Sequence, residues 1–238
     1  MSGRAQSPQA PTEPTDAVTR PLGPDRFIAT DSEPSLATAL DTLMRWRRDV
    51  RRFRREPVPV GLLEEVVAAV RLAPSVGLSE PTRLVLVEDD DRRRAVVADF
   101  RRCNEAALTG YAGDRARLYA SLKLEGLTDA PIHLAVFADG ATTKGHGLGC
   151  RTMPETRAYS AVCAIAFMWL AAQARGLGLG WVSIIDPVRV VRILEVPESW
   201  HLVGYLCLGW PLEQSDVPEL ARAGWEQRDP HGPHIERR

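Results

Sequence analysis

Cysteine is scarce in this chain, and the few cysteines that occur are far apart. The four among 238 residues are Cys103, Cys150, Cys163 and Cys207. None forms a C-x-x-C pair and no histidines follow at zinc-finger intervals, so the sequence offers no convincing zinc site. Cys163 and Cys207 lie in apolar runs and are interpreted as small core side chains. We therefore expect no bound metal and a reduced, cytoplasmic protein.

Long hydrophobic runs are also missing. The longest apolar stretch, residues 158–174, contains polar side chains and is short for a bilayer crossing, so it predicts a buried helix and no membrane partner. Residues 1–34 are rich in Ser, Thr, Pro and Gly and have no apolar signal core, so we expect a largely disordered extension. The remainder predicts one domain, residues 35–226, followed by a flexible tail, residues 227–238.

Several nucleotide and hydrolase motifs are absent. No Gly-x-x-x-x-Gly-Lys-Ser/Thr loop and no Gly-x-Ser-x-Gly elbow occurs. Glycines 176, 178 and 180 alternate, but they follow a predicted helix and open a predicted strand, which is the reverse of a dinucleotide-binding fingerprint. We interpret this glycine repeat as a helix stop that lets the backbone approach another segment closely.

Net charge is nearly zero, with 30 basic against 31 acidic side chains, which argues against a protein that coats nucleic acid. Against that balance, seven arginines fall within the eleven residues from Arg45 to Arg55. Converging guanidinium groups predict an anion site, with phosphate as the expected ligand. If the preceding helix continued through this block, Arg47 and Arg51 would share a face and Asp49 would point elsewhere. The alternative is that most of these arginines lie on a solvated face.

Hydrophobic periodicity predicts helices interleaved with four strands. Ser35 is placed to cap the first helix, which leads into the arginine block. The further predicted helices span residues 62–72, 92–108, 114–127, 155–175 and 187–194, and the predicted strands span residues 84–87, 132–138, 181–185 and 202–208. The helix at 155–175 is hydrophobic on nearly every face and is expected to be the central helix, packed between other layers. Because strands and helices do not alternate strictly, the order predicts an α+β or α/β fold, a sheet layered with helices.

Seven short blocks, in this order along the chain, resemble the 5,6-dimethylbenzimidazole synthase branch of the nitroreductase superfamily. They are Arg-Arg-Asp-Val-Arg at 47–51, Ala-Pro-Ser-Val-Gly at 73–77, Ser-Leu-Lys-Leu-Glu-Gly at 121–126, Tyr-Ser-x-Val-Cys-Ala at 159–164, Trp-Leu-Ala-Ala at 169–172, Gly-Trp-Val-Ser-Ile at 180–184 and Tyr-Leu-Cys-Leu-Gly at 205–209. The resemblance covers residues 42–225. It implies a nitroreductase-like, FMN-binding α+β fold with a central, mainly antiparallel sheet flanked by helices. It also implies an intertwined homodimer with FMN at the subunit interface.

The resemblance also implies the residues of the site. The implied FMN-binding residues are Arg47, Arg48, Asp49, Val50, Arg51, Ser75, Gly77, Leu124 and Ser183. Asp49 matches an aspartate that the family requires for activity, and Ser183 matches a serine near the reactive part of the flavin. A carboxylate there can relay protons and a hydroxyl can donate a hydrogen bond, which is why both are candidate catalytic residues. The structural alternatives are an ion pair of Asp49 with neighbouring arginines and a local hydrogen bond of Ser183.

The implied reaction consumes the flavin. Reduced FMN and O2 are the substrates, and the products are 5,6-dimethylbenzimidazole, the lower ligand of cobalamin, and erythrose 4-phosphate. A separate flavin reductase is the expected source of reduced FMN, since no dedicated nicotinamide motif is found.

The chain departs from the family pattern at three places that keep other functions open, one of which is Thr156-Arg157, where Met-Asp is common. Glu80-Pro81-Thr82 stands where Gln-Pro-Trp is usual, and Ala166-Phe167 stands where Gln-Asn is usual. One alternative is therefore an FMN-dependent NAD(P)H nitroreductase or flavin reductase. Another is a non-catalytic flavin or nucleic-acid binder that uses the arginine block, and nucleic-acid binding of that kind would weaken steeply with salt.

Overall fold

A computed structural model describes residues 35–238, which form one antiparallel sheet with helices on both faces. The strands are β1 (Thr82–Leu86), β2 (Ile132–Asp139), β3 (Gly178–Val182) and β4 (Trp200–Gly209). The helices are α1 (Leu36–Trp46), α2 (Val60–Ala68), α3 (Asp90–Leu108), α4 (Gly113–Ser121), α5 (Thr156–Gln173), α6 (Pro187–Leu194) and α7 (Glu219–Arg222), with short 3-10 turns at Ala69–Leu72, Val76–Leu78 and Lys144–Gly147. The strand order is β1-β2-β4-β3. The predicted α+β architecture with four strands is confirmed.

The central strand β2 shows why the sheet needs two helical layers. Seven of its eight residues are buried, because alternate side chains enter different cores. Leu134 and Val136 pack in the core beneath α2 and α5. Ala135 and Phe137 pack in the opposite core with α3 and α6. A continuous apolar strand is therefore the sequence signature of a sheet covered on both faces.

The predicted central helix is confirmed as α5, and one part of its expected packing is wrong. Ile165 and Met168 are fully buried against the sheet. Tyr159, Val162 and Phe167, on other faces of the helix, remain exposed in the single chain. One chain therefore leaves apolar side chains of its central helix exposed.

Two predicted boundaries are wrong because tertiary contacts override local patterns. The third strand was expected at residues 181–185, but β3 begins at Gly178 and ends at Val182. The glycines belong to the strand because Val50 lies against them. A Cβ atom on Gly180 would be 2.0 Å from the Val50 carbonyl oxygen. The close approach that the glycine repeat predicted is therefore confirmed. Helix α4 ends at Ser121 instead of continuing to residue 127, and the carbonyl of Lys123 accepts a hydrogen bond from Arg51.

The first helix ends at the start of the arginine block and does not continue through it. Ser35 caps α1 as predicted, since its Oγ accepts the Thr38 amide. The helix stops at Trp46, and Arg47 is already extended. The expectation that Arg47 and Arg51 share a helical face with Asp49 pointing elsewhere is wrong. In extended backbone, alternate residues lie on the same side, so positions 47, 49 and 51 point together.

No helix within residues 35–238 is long and apolar enough to cross a membrane. In the same part of the chain, no group of three potential metal-binding side chains lies together. All four cysteines are free thiols. The predicted disordered extension, residues 1–34, lies outside the described residues.

Candidate functional site

The arginine block is held along the outer edge of β3. The Val50 amide donates to the Leu179 carbonyl at 3.1 Å, and Asp49 forms an isolated parallel bridge with Leu179. From the other side, the indole N–H of Trp169 on α5 donates to the Arg48 carbonyl at 3.0 Å. The backbone of residues 47–51 is therefore fixed between a strand and the central helix, and its side chains have defined directions.

Asp49 is the most constrained side chain of the block. Its Oδ1 accepts the Trp181 amide at 2.7 Å, and its Oδ2 accepts Nε and Nη2 of Arg51 at 3.0 and 2.9 Å. The ion pair with a neighbouring arginine, the structural alternative for Asp49, is therefore present. The side chain nevertheless stays 31% exposed, and each carboxylate oxygen has further capacity to accept a hydrogen bond. Asp49 is thus both anchored and open to a ligand.

Four of the seven arginines are neutralised by carboxylates of the chain itself. Arg51 pairs with Asp49, Arg52 with Glu213 and Glu219, Arg54 with Glu56, and Arg55 with Asp129. The C-terminal half of the block therefore has less capacity for an external anion than the sequence suggested.

Arg45, Arg47 and Arg48 have no carboxylate partner within residues 35–238. The guanidinium of Arg47 lies over the Trp169 ring, 4.7 Å from its centroid. Arg48 donates only to backbone carbonyls, those of Arg47 at 2.6 Å and Asp216, and its Nε is buried without a partner. Unpaired donors of this kind are what an incoming phosphate would satisfy.

Electrostatics around these two arginines favour an anion. Burial lowers the pKa of Arg47 and of Arg48, and the charge of Arg228 in the C-terminal tail lowers both further. The charge of Asp49 raises the pKa of Arg47 and that of Asp216 raises the pKa of Arg48, so the carboxylates offset part of this lowering. Arg47 also lowers the pKa of Arg48. Arginine stays protonated near neutral pH. An anion bound here would relieve the mutual repulsion. Arg45, Arg48 and Arg228 line one cavity of about 370 Å³, whose described lining includes the carboxylate of Asp216.

Ser183 follows the last residue of β3 and is exposed. It lies two positions after Trp181, whose amide is held by Asp49, and alternate strand residues are about 7 Å apart. Ser183 therefore directly follows the edge strand to which Asp49 is attached. The Ser183 hydroxyl has no hydrogen-bond partner among residues 35–238, so the local bond proposed as its structural alternative does not form there.

Leu124 lies beside this edge. Arg51 Nη1 donates to the carbonyl of the preceding residue, Lys123, at 2.9 Å. The Leu124 side chain is partly buried against the core beneath α3 and α6. The structure thus joins the 121–126 block to the arginine block.

Ser75 and Gly77 lie at the other end of α5. The amide of Val76, between them, donates to Ser160 Oγ at 3.0 Å, whereas Arg48 is bound by Trp169. Nine helical residues separate those two anchors, or about 14 Å along the axis. Gly77 has a positive φ of 54°, and a Cβ there would be 2.6 Å from the backbone oxygen of Leu148. One chain therefore does not bring this loop to the arginine block.

Sequence reasoning missed Trp169 and Arg228 as site residues. A tryptophan within an apolar helix is expected to be a core residue, and an arginine in a charged tail is expected to be solvated. Neither carries a local signal, because their proximity to Arg47 and Arg48 depends on packing across more than one hundred residues.

Comparisons with known proteins identify the family of the chain. The family model described as "Nitroreductase family" matches residues 44–210. The chain is 54% identical to 5,6-dimethylbenzimidazole synthase of Rhodospirillum rubrum over 84% of this chain and 94% of that protein. It is 44% identical to 5,6-dimethylbenzimidazole synthase of Rhodobacter capsulatus over 81% of this chain and 93% of that protein.

Among solved structures, oxidized iodotyrosine deiodinase bound to FMN and 3-iodo-L-tyrosine has a similar fold. The TM-score is 0.63 at 23% identity, covering 83% of this chain and 97% of that chain. The nitroreductase-like fold expected from the sequence blocks is confirmed. The chain therefore belongs to the nitroreductase family and, within it, to the 5,6-dimethylbenzimidazole synthases.

Proposed function

We propose that this protein converts reduced FMN and O2 to 5,6-dimethylbenzimidazole and erythrose 4-phosphate. The proposal is supported above all by the 54% identity to a protein named 5,6-dimethylbenzimidazole synthase. Asp49 and two arginines without carboxylate partners among the described residues lie along the edge strand that Ser183 follows, and this arrangement suits a bound flavin phosphate. A separate flavin reductase supplies the reduced FMN in this proposal, since the sequence has no dedicated nicotinamide motif.

The residues present fit FMN. A phosphate monoester requires cationic donors, and Arg47 and Arg48 offer guanidinium groups without carboxylate partners among the described residues, one of them with a buried, unsatisfied Nε. Arg45 and Arg228 add positive charge at the adjoining cavity. Leu124 and Val50 supply apolar surface next to the polar groups. We infer that the phosphate binds at Arg47 and Arg48 and that the ring lies toward Asp49 and Ser183.

Asp49 and Ser183 have different roles in the proposal. Bound reduced FMN supplies the electrons and the carbon skeleton for the oxygen-dependent cleavage. Asp49, fixed by Trp181 and Arg51, holds or relays a proton at its exposed carboxylate edge. Ser183 offers a hydroxyl that no described residue occupies, so it can donate to or accept from a ligand.

The complete site is proposed to need two copies of the chain. Ser75 and Gly77 are separated from Arg48 by much of the length of α5, and α5 leaves Tyr159, Val162 and Phe167 exposed. A second copy packed on this apolar surface would cover it and bring its own Ser75–Gly77 loop to the first chain's arginine block. Light scattering of the purified protein tests this, and a monomer that binds FMN with full affinity contradicts it.

The proposed reaction is tested by detecting its product. Purified protein is mixed with chemically reduced FMN, exposed to air, and examined by chromatography with mass spectrometry for the benzimidazole. Its appearance in proportion to flavin lost is expected, with boiled protein as the control. Quantitative recovery of oxidised FMN contradicts the proposal. Rapid NAD(P)H oxidation by tightly FMN-bound protein would instead identify a nitroreductase or flavin reductase.

A further inference from the structure

A buried carboxylate on α3 lies behind the segment that carries Ser183. The side chain of Asp99 is 0% exposed. Its Oδ2 accepts the amide of Asp186 at 2.7 Å, and its Oδ1 is bound by Arg102 Nη2 at 2.7 Å and Arg189 Nε at 3.0 Å. Burying a carboxylate is costly unless it is paired and hydrogen-bonded, and Asp99 is both.

The Asp186 amide attaches the start of α6 to Asp99. Asp186 is the N-cap of α6, and its own Oδ1 accepts the amides of Val188 and Arg189 at 3.0 and 3.2 Å. Arg102 contacts Asp99 and also approaches Asp186 at 3.6 Å. Asp99 therefore attaches the start of α6 to α3.

Ser183 lies between two amides that are held by carboxylates. Two residues before it, the Trp181 amide is bound by Asp49 on the ligand side. Three residues after it, the Asp186 amide is bound by Asp99 on the core side. Between these attachments, Ile184 and Ile185 pack against the α3 and α6 core.

We propose that Asp99 is a positioning residue that holds the 183–186 segment so that the Ser183 hydroxyl faces the site. This inference rests on the proposed function for the role of Ser183, while the structural attachment stands independently of it. The Asp99→Asn substitution keeps the size of the side chain. The substitution also removes the negative charge that pairs with Arg102 and Arg189, and it places an NH2 group against one of the hydrogen-bond donors to Asp99.

The same two helices provide a matched control. Arg92 on α3 binds Glu195 at 2.6 Å and the carbonyl of Ile193 at 3.1 Å, at the end of α6 far from Ser183. Glu195→Gln therefore weakens the contact between α3 and α6 without touching the Asp99 attachment. Arg189→Gln is a milder second variant for the case that Asp99→Asn folds poorly. It removes one of the two arginine partners of Asp99 and leaves the other, Arg102, in place.

Amide hydrogen exchange measures the attachment without any reaction. Exchange in peptides covering residues 181–186 should be at least about tenfold faster in Asp99→Asn, faster by a smaller factor in Arg189→Gln, and unchanged in Glu195→Gln. Equal exchange in all these proteins overturns the inference.

Kinetics then separate positioning from a general loss of stability. In the native background, Asp99→Asn should lower kcat for benzimidazole formation about tenfold to a hundredfold with little change in KM, because the hydroxyl is misplaced. In a Ser183→Ala background it should have almost no further effect, as in a double-mutant cycle between coupled residues. The same fold loss in both backgrounds overturns the proposal. Failure of the unmodified protein to form benzimidazole refutes the proposed function instead, and hydrogen exchange still decides the attachment.

Discussion

Gly180→Ala should displace the arginine block from the sheet. Gly180 is not among the glycines with positive φ, so alanine fits its backbone conformation and only the contact matters. The new Cβ would lie 2.0 Å from the Val50 carbonyl oxygen, whereas real contacts of this kind are essentially never under 3.0 Å. The backbone at Val50 must therefore retreat by at least about 1 Å, and rotation of a side chain cannot relieve the contact.

The magnitude follows from what that movement breaks. The hydrogen bonds from the Val50 amide to Leu179, at 3.1 Å, and from the Trp181 amide to Asp49, at 2.7 Å, would both be stretched beyond bonding distance. Overpacking costs about 1–3 kcal/mol, and these bonds contribute about 1 and 2 kcal/mol. Together these contributions give an expected loss of about 4–6 kcal/mol in the free energy of unfolding and a fall of roughly 10–20 °C in Tm.

Flavin binding provides the second measurement. Because the Arg47 and Arg48 side chains move with the block, the Kd for FMN should rise at least about tenfold, as followed by flavin fluorescence. Gly61→Ala in α2 is the control, since a Cβ there meets nothing within 4 Å. Its Tm should stay the same or rise slightly, because alanine favours helix over glycine.

A rescue experiment identifies the contact itself. A Cβ on Gly178 would meet the side chain of Val50 at 2.8 Å, whereas one on Gly180 meets its backbone. Val50→Ala should therefore rescue Gly178→Ala and leave Gly180→Ala impaired. A Gly180→Ala protein with unchanged Tm and unchanged FMN affinity would refute the reasoning, as would rescue of both variants by Val50→Ala.

Three other perturbations test the site and the core. Arg48→Gln should raise the Kd for FMN about tenfold to a hundredfold, because the phosphate loses a charged partner. The Kd for riboflavin, which lacks the phosphate, should stay within about twofold. Arg55→Gln is the control, since Arg55 is paired with Asp129 on the surface. Asp49→Asn should retain FMN binding but lower kcat for benzimidazole formation about a hundredfold, and a product assay showing unchanged turnover would contradict its role in proton transfer. Burial lowers the pKa of His133 from 6.5 to about 4, so below pH 6.5 the unfolded chain gains a proton that the folded chain does not. Stability should fall by on the order of 3 kcal/mol between pH 6.5 and 4, and urea titrations should show a smaller pH dependence in His133→Gln.

The parts of the fold that the sequence predicted well are those set by local periodicity. Helix α5 and strand β2 are long apolar segments with clear boundaries, and both appear within two residues of the expected positions. Ser35 and Asp186 act as N-caps because a side-chain oxygen at that position satisfies free amides of its own helix.

The parts that the sequence predicted poorly depend on partners distant along the chain. Strand β3 includes Gly178 because Val50 lies against it, and α4 stops where Lys123 accepts a bond from Arg51. Local propensity cannot report such contacts. The anion site was overestimated for the same reason, since the carboxylates that neutralise Arg52 lie at Glu213 and Glu219.

The sequence alone therefore determined the fold class and the family, and it predicted the residue types of the site, because apolar periodicity and short blocks are local properties. Tertiary structure alone decided which arginines lack a carboxylate among the described residues, how Asp49 is oriented and which helix supports the Ser183 segment. These properties arise from packing and charge pairing between residues such as Asp49 and Trp181, or Asp99 and Asp186, which only folding brings within hydrogen-bond distance.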